Sequence, residues 1–273
     1  MTDFEMELEK IRKYIAKQLH LCTLPFVQME ENHIVVNLFP TPFKMIRVVG
    51  DTFLMGAQSE NFMDENYDFF ADECSGPVHQ VTLDNYYIGE TVVTQSLWKA
   101  VMGEDDPRFE FGADDLPAVG VNWYDCQRFI NKLNEQTGLK FRFPTEAEWE
   151  FAARGGIKSR GYIYSGSNEM NRVGWTNHSR DRRLHPVKMK RPNELGIYDM
   201  SGNVWEWCAD WMKDGYPQEP QTNPKGPDSS PYFGRVIRGG SWYDNPLFCH
   251  VSQRFECRPN EIIKDCGLRL VME

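Results

Sequence analysis

Hydrophobic and polar positions alternate most clearly at the end of the stretch Asn193 to Trp211, NELGIYDMSGNVWEWCADW. In an extended strand, successive side chains point to opposite faces. Trp205, Trp207, Ala209 and Trp211 then share one face, an aromatic wall that needs a core to cover it. Val204, Glu206, Cys208 and Asp210 share the other, with two carboxylates beside a thiol. Gly202-Asn203 signals a turn ahead of the strand, and Asp199 precedes it. Two readings stand side by side. Asp199, the turn carbonyls and Glu206 converge on a hard cation, or the acids cap backbone N–H groups.

Elsewhere the period changes. Phe4, Leu8, Ile11, Ile15 and Leu19 recur at steps of three and four, which predicts an amphipathic helix over 2–20. Residues 21–44 read as a connector carrying a strand or two. From Phe43 onward short strands alternate with turns: Met45–Val49, Thr52–Met55, Val78–Leu83 and Tyr86–Ile88. Three helices then carry readable ends. Thr94 caps Gln95–Met102 and Gly103 stops it. Asn122 caps a helix that reaches Thr137 and stops at Gly138. Thr145 with Glu148 forms a capping box for a helix running through Trp149 to Arg154. Residues 157–192 and 213–234 are loops rich in Gly, Pro, Asn and Ser. Val236 to Trp242 reads as irregular, and Gly267–Met272 as a last strand. Helices clustered between flanking strands predict an α+β fold rather than repeated βαβ units. A break near residue 42 divides an N-terminal helix and connector (1–42) from the main domain (43–273).

Composition narrows the function. The net charge is −10 without a basic patch, so nucleic acid is not an expected partner. The N-terminus lacks a signal-peptide pattern and no apolar run is long enough to cross a bilayer. The expectation is a cytoplasmic protein without a membrane partner. Seven cysteines without a C-x-x-C pair are expected as free thiols. The six acids among residues 58–75 are expected on a solvated surface loop. Arg238, Arg254 and Arg269 are expected to pair with internal acids.

Seven blocks carry a resemblance. They are FLMG (53–56), PVHQVTLDNYYIGETVVTQ (77–95), LPAVGVNW (116–123), RFPTEAEWEFAARGG (142–156), the stretch 193–211, RVIRGGSW (235–242) and CGLRLV (266–271). In that order they resemble the sulfatase-modifying factor family, the formylglycine-generating enzyme group. The resemblance implies a loop-rich α+β variant of the C-type lectin fold over residues 43–272, with residues 1–42 as an extension.

The family's namesake enzymes use oxygen to convert a cysteine of a sulfatase peptide to formylglycine. They resemble one another in two cysteines five positions apart after the RGGS-like turn, whose thiolates bind copper. In this chain the second position matches Cys249 and the first falls on Asp244. A carboxylate is a hard ligand, so copper is expected only if the chain is active, and activity of that kind is expected to be weak or absent. A second branch, the iron-dependent sulfoxide synthases, needs a helical domain with iron-binding histidines; residues 1–42 hold only His20 and His33.

The rival expectation is a non-catalytic module that binds a peptide or protein in a cleft around Ser241, Trp242, Asp244, Cys249 and His250. The tail also resembles variable proteins diversified by retroelements, with Tyr243, Asp244, Leu247, Phe248, His250 and Gln253 as the varied positions. Finally, the resemblance implies one structural calcium held by the side chains of Asp199 and Glu206 and the carbonyls of Gly202 and Val204. Oxygen-only ligands on a turn suit that ion.

Overall fold

The computed structural model describes residues 27–38, 40–103, 106–109 and 114–273. The helix expected over 2–20 lies outside the described residues. Thirteen short strands and four α-helices are described, separated by long loops. This is the α+β, loop-rich architecture that the clustering of helical caps implied.

A six-stranded sheet has the order β1-β2-β3-β6-β13-β7. Its strands are β1 (Val27–Met29), β2 (His33–Val36), β3 (Phe43–Val48), β6 (Tyr86–Gly89), β7 (Phe141–Arg142) and β13 (Val271–Met272). β2 pairs antiparallel with β3, His33 opposite Ile46, so the sheet is continuous across residue 42. β4 (Thr52–Met55), β5 (His79–Thr82) and β9 (Gln221–Thr222) form a three-stranded sheet. The third sheet, order β11-β10-β8-β12, contains β8 (Trp205–Trp211), β10 (Arg235–Arg238), β11 (Arg254–Cys257) and β12 (Cys266–Gly267). The segment expected to be irregular from Val236 therefore begins as β10, paired on both sides. The expected last strand is split into β12 and β13, which belong to different sheets.

The helices begin and end where their caps predict. Helix α1 (Gln95–Met102) starts at Thr94, whose hydroxyl accepts from Leu97 N, and stops at Gly103. Helix α2 (Trp123–Thr137) has a reciprocal capping box between Asn122 and Asp125 and ends on a left-handed Gly138. Helix α3 (Glu146–Ala153) has the Thr145–Glu148 box, with Arg154 as its C-cap. Such caps each contribute about 1 kcal/mol by satisfying otherwise orphaned N–H groups. The short α4 (Met170–Val173) sits inside the long loop.

β8 lies between two cores. Trp205 and Trp207 face a core with Trp98, Phe129 and Leu268, and Ala209 packs against it. Cys208 faces a second core with Trp149, Met200 and Val236. The carboxylates on that second face are buried as well, which demands partners inside the protein. Arg269 supplies one: it donates to both oxygens of Glu206, at 2.6 and 2.8 Å, with both side chains wholly buried. Arg254 grips Glu146 in the same two-bond manner at 2.7 Å. Arg238 donates to Glu150 and to the carbonyls of Val251, Ser252 and Gln253. All three arginines thus pair with internal acids, as the acid excess predicted.

Candidate functional site

The turn after β10 sets the first group of candidate residues. Gly240 sits at φ +69, and a Cβ there would lie 2.5 Å from Cys249 Sγ. Only glycine lets the chain turn this tightly against that thiol. Ser241 follows, buried, and its Oγ donates to Asp244 Oδ2 at 2.6 Å and also contacts Asp265. Trp205 Nε1 donates to the same Asp244 oxygen at 2.8 Å. Asp244 is therefore fixed from β8 and from the turn together. Burial, then the neighbouring Asp244 charge, raises the Asp265 carboxyl above its ordinary range, while Ser241 opposes that shift.

Aromatic rings border this acid. Trp242 meets Tyr243 edge-on at 5.5 Å, and Trp205 lies 5.9 Å from Phe255. Tyr243 is 70% exposed, Phe255 53% and Phe248 43%. Of the six positions expected to vary, Tyr243 and Phe248 face solvent, and Asp244 and Leu247 are half-buried. His250 and Gln253 are buried and cannot meet a ligand without rearrangement.

Cys249 and His250 belong to a different environment. Cys249 is fully buried with Tyr164 and Val173. Burial, then the charge of Asp244, holds its thiol well above the usual range. A thiol kept protonated and out of solvent is a poor nucleophile and a poor metal ligand. His250 Nδ1 lies 2.7 Å from Asp68 Oδ2, and Ser252 Oγ donates to the same oxygen. Asp68 belongs to the acid-rich stretch expected as a solvated surface loop; most of its acids are exposed, but Asp68 is buried, 182 residues from its histidine. The expected cleft thus divides into a half-buried pair (Trp242, Asp244) and a buried set (Ser241, Cys249, His250). Asp68 and Asp265 carried no sequence signal, because only the fold brings them to these partners.

Two metals can be tested against these residues. Copper capture needs two accessible soft ligands. Cys249 is buried and Asp244 is a hydrogen-bonded carboxylate, so the residues do not fit copper. The calcium set is different. Asp199 is 3% exposed, and one of its oxygens accepts from Lys188 N at 2.8 Å. Its other oxygen, Oδ1, has no partner. Burial pushes the carboxyl up to about 6, and nearby Glu206 adds to the rise. Glu206 accepts from Arg269 through both oxygens and from Trp149 Nε1 at 2.7 Å. A carboxylate offers about four lone-pair sites, so Glu206 can be shared between Arg269 and a cation. By donor chemistry the open Asp199 oxygen, with the oxygens of Glu206, suits a hard cation rather than a soft one. Among the described residues no cluster of three or more His, Cys, Asp or Glu side chains gathers as a metal centre.

Known proteins resemble the chain along nearly its whole described length. It is 31% identical over 241 residues to chaperone protein LppX of Paenibacillus barcinonensis, which covers 70% of this chain and 81% of that protein. It is 35% identical over 176 residues to the formylglycine-generating enzyme of Streptomyces coelicolor, 58% of this chain but about half (53%) of that enzyme. Among solved structures, Treponema denticola variable protein 1 superposes with a TM-score of 0.74 at 30% identity, covering 87% of this chain and 98% of that one. PvdO from Pseudomonas aeruginosa shares the fold with a TM-score of 0.71 at 24% identity, covering 90% of this chain and 100% of that one. The family model of the sulfatase-modifying factor enzyme 1-like domain matches residues 38–273, taking in all three sheets from β3 onward and the turn that carries Ser241 and Asp244. The chain belongs to the sulfatase-modifying factor family.

Proposed function

We propose that this domain is a non-catalytic binding module of its family, which holds a peptide or protein on the face formed by Trp242, Tyr243, Phe248 and Phe255. One observation carries the reading. Where a copper-binding thiol pair would stand, Asp244 is committed to Trp205 and Ser241, and Cys249 is fully buried. Formylglycine generation needs a thiolate in reach of the substrate, and this arrangement offers none. The same turn presents large aromatic side chains to solvent, and exposed rings backed by a rigid sheet are suited to recognition. The likeness to a variable protein over nearly all of that protein's length supports the reading. A cytoplasmic working place belongs to the same proposal: the six described cysteines are all free, which suits a reducing compartment. Among the described residues no helix is long and apolar enough to cross a membrane.

A photo-crosslinking amino acid placed at Tyr243 or Phe248 in the full chain, expressed in its source cells, tests the proposal. One discrete adduct at both positions, absent from the exposed Met189, is the expected result. Adducts at all three positions alike, or none, overturn it.

A single calcium ion at Asp199 and Glu206, with the Gly202 and Val204 carbonyls, is proposed as a stiffener of the turn. The open Asp199 oxygen supports it.

A further inference from the structure

A second concave surface lies apart from the aromatic face. The start of β5, the end of β8 and the first turn of α3 meet the loop 213–227 around a cavity of about 590 Å³. His79, Glu146, Asp210 and Arg254 line it, each no more than 6% exposed. Pro217, Pro220, Pro224 and Pro227 stiffen the facing wall, because each fixes its own φ.

Most of the buried polar groups are already spent. Arg254 donates from Nε and Nη2 to Glu146 and from Nη1 to the carbonyls of Cys74 and Lys213. Tyr216 donates to the same Glu146 carboxylate at 3.1 Å. Two atoms are left over. Asp210 Oδ2 accepts from Glu146 N at 2.8 Å, but among the described residues its Oδ1 meets no donor. His79 Nδ1 lies 3.2 Å from Pro77 O. A carbonyl only accepts, so Nδ1 carries the hydrogen and Nε2 presents a lone pair. Burial lowers the pKa of this imidazole and keeps that lone pair free. Among the described residues Nε2 meets no donor either. Acceptors left open on buried side chains cost free energy until a donor arrives, and here both belong to residues that line one cavity.

Because both open atoms are acceptors, the matching ligand is a donor. An anion at the base would be repelled by Asp210 and would find every Arg254 donor engaged. A metal ion would find only these two ligands: Glu146 is taken, and among the described residues no group of three or more His, Cys, Asp or Glu side chains gathers. A guanidinium fork needs two carboxylate oxygens, and Asp210 has one to offer, which suits a compact ammonium instead. Lys213, Asp214 and Lys225 stand at the exposed rim, where solvent screens them. Tyr232 bonds Asp214, and among the described residues neither lysine has an acid within ion-pair distance. The two lysines suit the carbonyl oxygens that follow an amino group along a peptide.

We propose that this cavity binds the primary ammonium group of a peptide, from its amino terminus or a lysine side chain, with Asp210 Oδ1 accepting from the ammonium and His79 Nε2 from a second N–H of the same ligand. Burial and the charge of Glu146 raise the Asp210 carboxyl, and a cation at Oδ1 favours its ionised form again. The subsite stands whether or not the Tyr243 face binds anything, since no residue of that face lines it.

The test titrates the full chain at pH 7.5 with three probes: glycyl-leucyl-glycine amide, its N-acetylated form, and N-acetyl-lysine methylamide. Amide resonances of 146–147, 210–216 and 221–227 are followed by NMR. Saturable shifts confined to those segments are expected from a probe with a free amino group and not from the acetylated tripeptide. Saturation by the first probe assigns the ammonium to an amino terminus, and saturation by the third assigns it to a lysine. Asp210→Asn, which keeps the acceptor for Glu146 N and removes the charge, should weaken binding roughly tenfold while the variant stays folded. No saturable shift from either free amine up to about 20 mM, which would mean that the open acceptors meet solvent only, would overturn the proposal. So would equal shifts from the acetylated tripeptide, or unaltered affinity in Asp210→Asn.

Discussion

Asp244 accepts a hydrogen bond from Trp205 Nε1 at 2.8 Å, so this acid is tied to an inner strand of its sheet. The residue acts as a brace between β8 and the turn after β10. Replacing it with alanine leaves the Trp205 N–H short of its acceptor, while the Ser241 hydroxyl keeps Asp265. Asp244→Ala should lower the unfolding free energy by about 1–3 kcal/mol in a urea titration, with an unchanged m-value.

Cys249 should behave as a buried thiol. Iodoacetamide at pH 8 should leave it unmodified in the native protein and label it fully after denaturation, as read by peptide mass mapping. Rapid labelling of Cys249 in the native state would mean that the thiol is reachable and that the oxidase reading regains its nucleophile.

The raised carboxyl of Asp199 makes stability, and the proposed calcium site, depend on pH. Below about pH 4 the folded and unfolded chains both hold the proton, and the group has no effect on stability. Between about 4 and 6 the unfolded chain ionises first, and above 6 the folded state carries the full cost of a buried charge. Asp199→Asn should therefore be more stable than wild type by ~2 kcal/mol at pH 7.5 without calcium, and equal to it at pH 3.5. Calcium should raise the melting temperature of wild type, more at pH 7 than at pH 5, and leave the asparagine variant unmoved.

Asp210 offers a parallel case without a metal ion. It lies 4% exposed at the start of α3, where its carboxylate accepts from Glu146 N at 2.8 Å. Burial, then the charge of Glu146, pushes it up to about 7. Asp210→Asn keeps an oxygen for the helix N-terminus and removes the charge. It should stabilise the protein by on the order of 2–4 kcal/mol at pH 8.5 and by nothing at pH 3.5, measured by denaturant unfolding at each pH.

The parts of this fold that were legible in the sequence are those set by local chemistry. Thr94, Asn122 and Thr145 marked three helix starts, because a cap is a contact within four residues. The Trp205–Trp211 alternation marked a strand, since its period of two is local as well. What it did not reveal is that both faces are buried. Glu206 looks solvent-facing until Arg269, 63 residues later, arrives to neutralise it. The same limit hid β10, whose pairing depends on β8 and β11 rather than on its own short, glycine-ended sequence. At the candidate site, Ser241 and Asp244 are neighbours three positions apart, and their contact was within reach of spacing. The burial of Cys249 and the joining of His250 to Asp68 were not, because the first follows from packing against Tyr164 and Val173 and the second from the fold of residues 58–72.

The most direct measurement is a turnover assay under oxygen. The purified chain, supplied with copper(I), meets a peptide carrying the Cys-x-Pro-x-Arg motif, and mass spectrometry follows loss of the thiol and gain of the aldehyde. The binding-module account predicts no aldehyde at any copper loading. Aldehyde formation that disappears in Cys249→Ser would contradict it, because a single buried thiol beside Asp244 would then suffice for the oxidation.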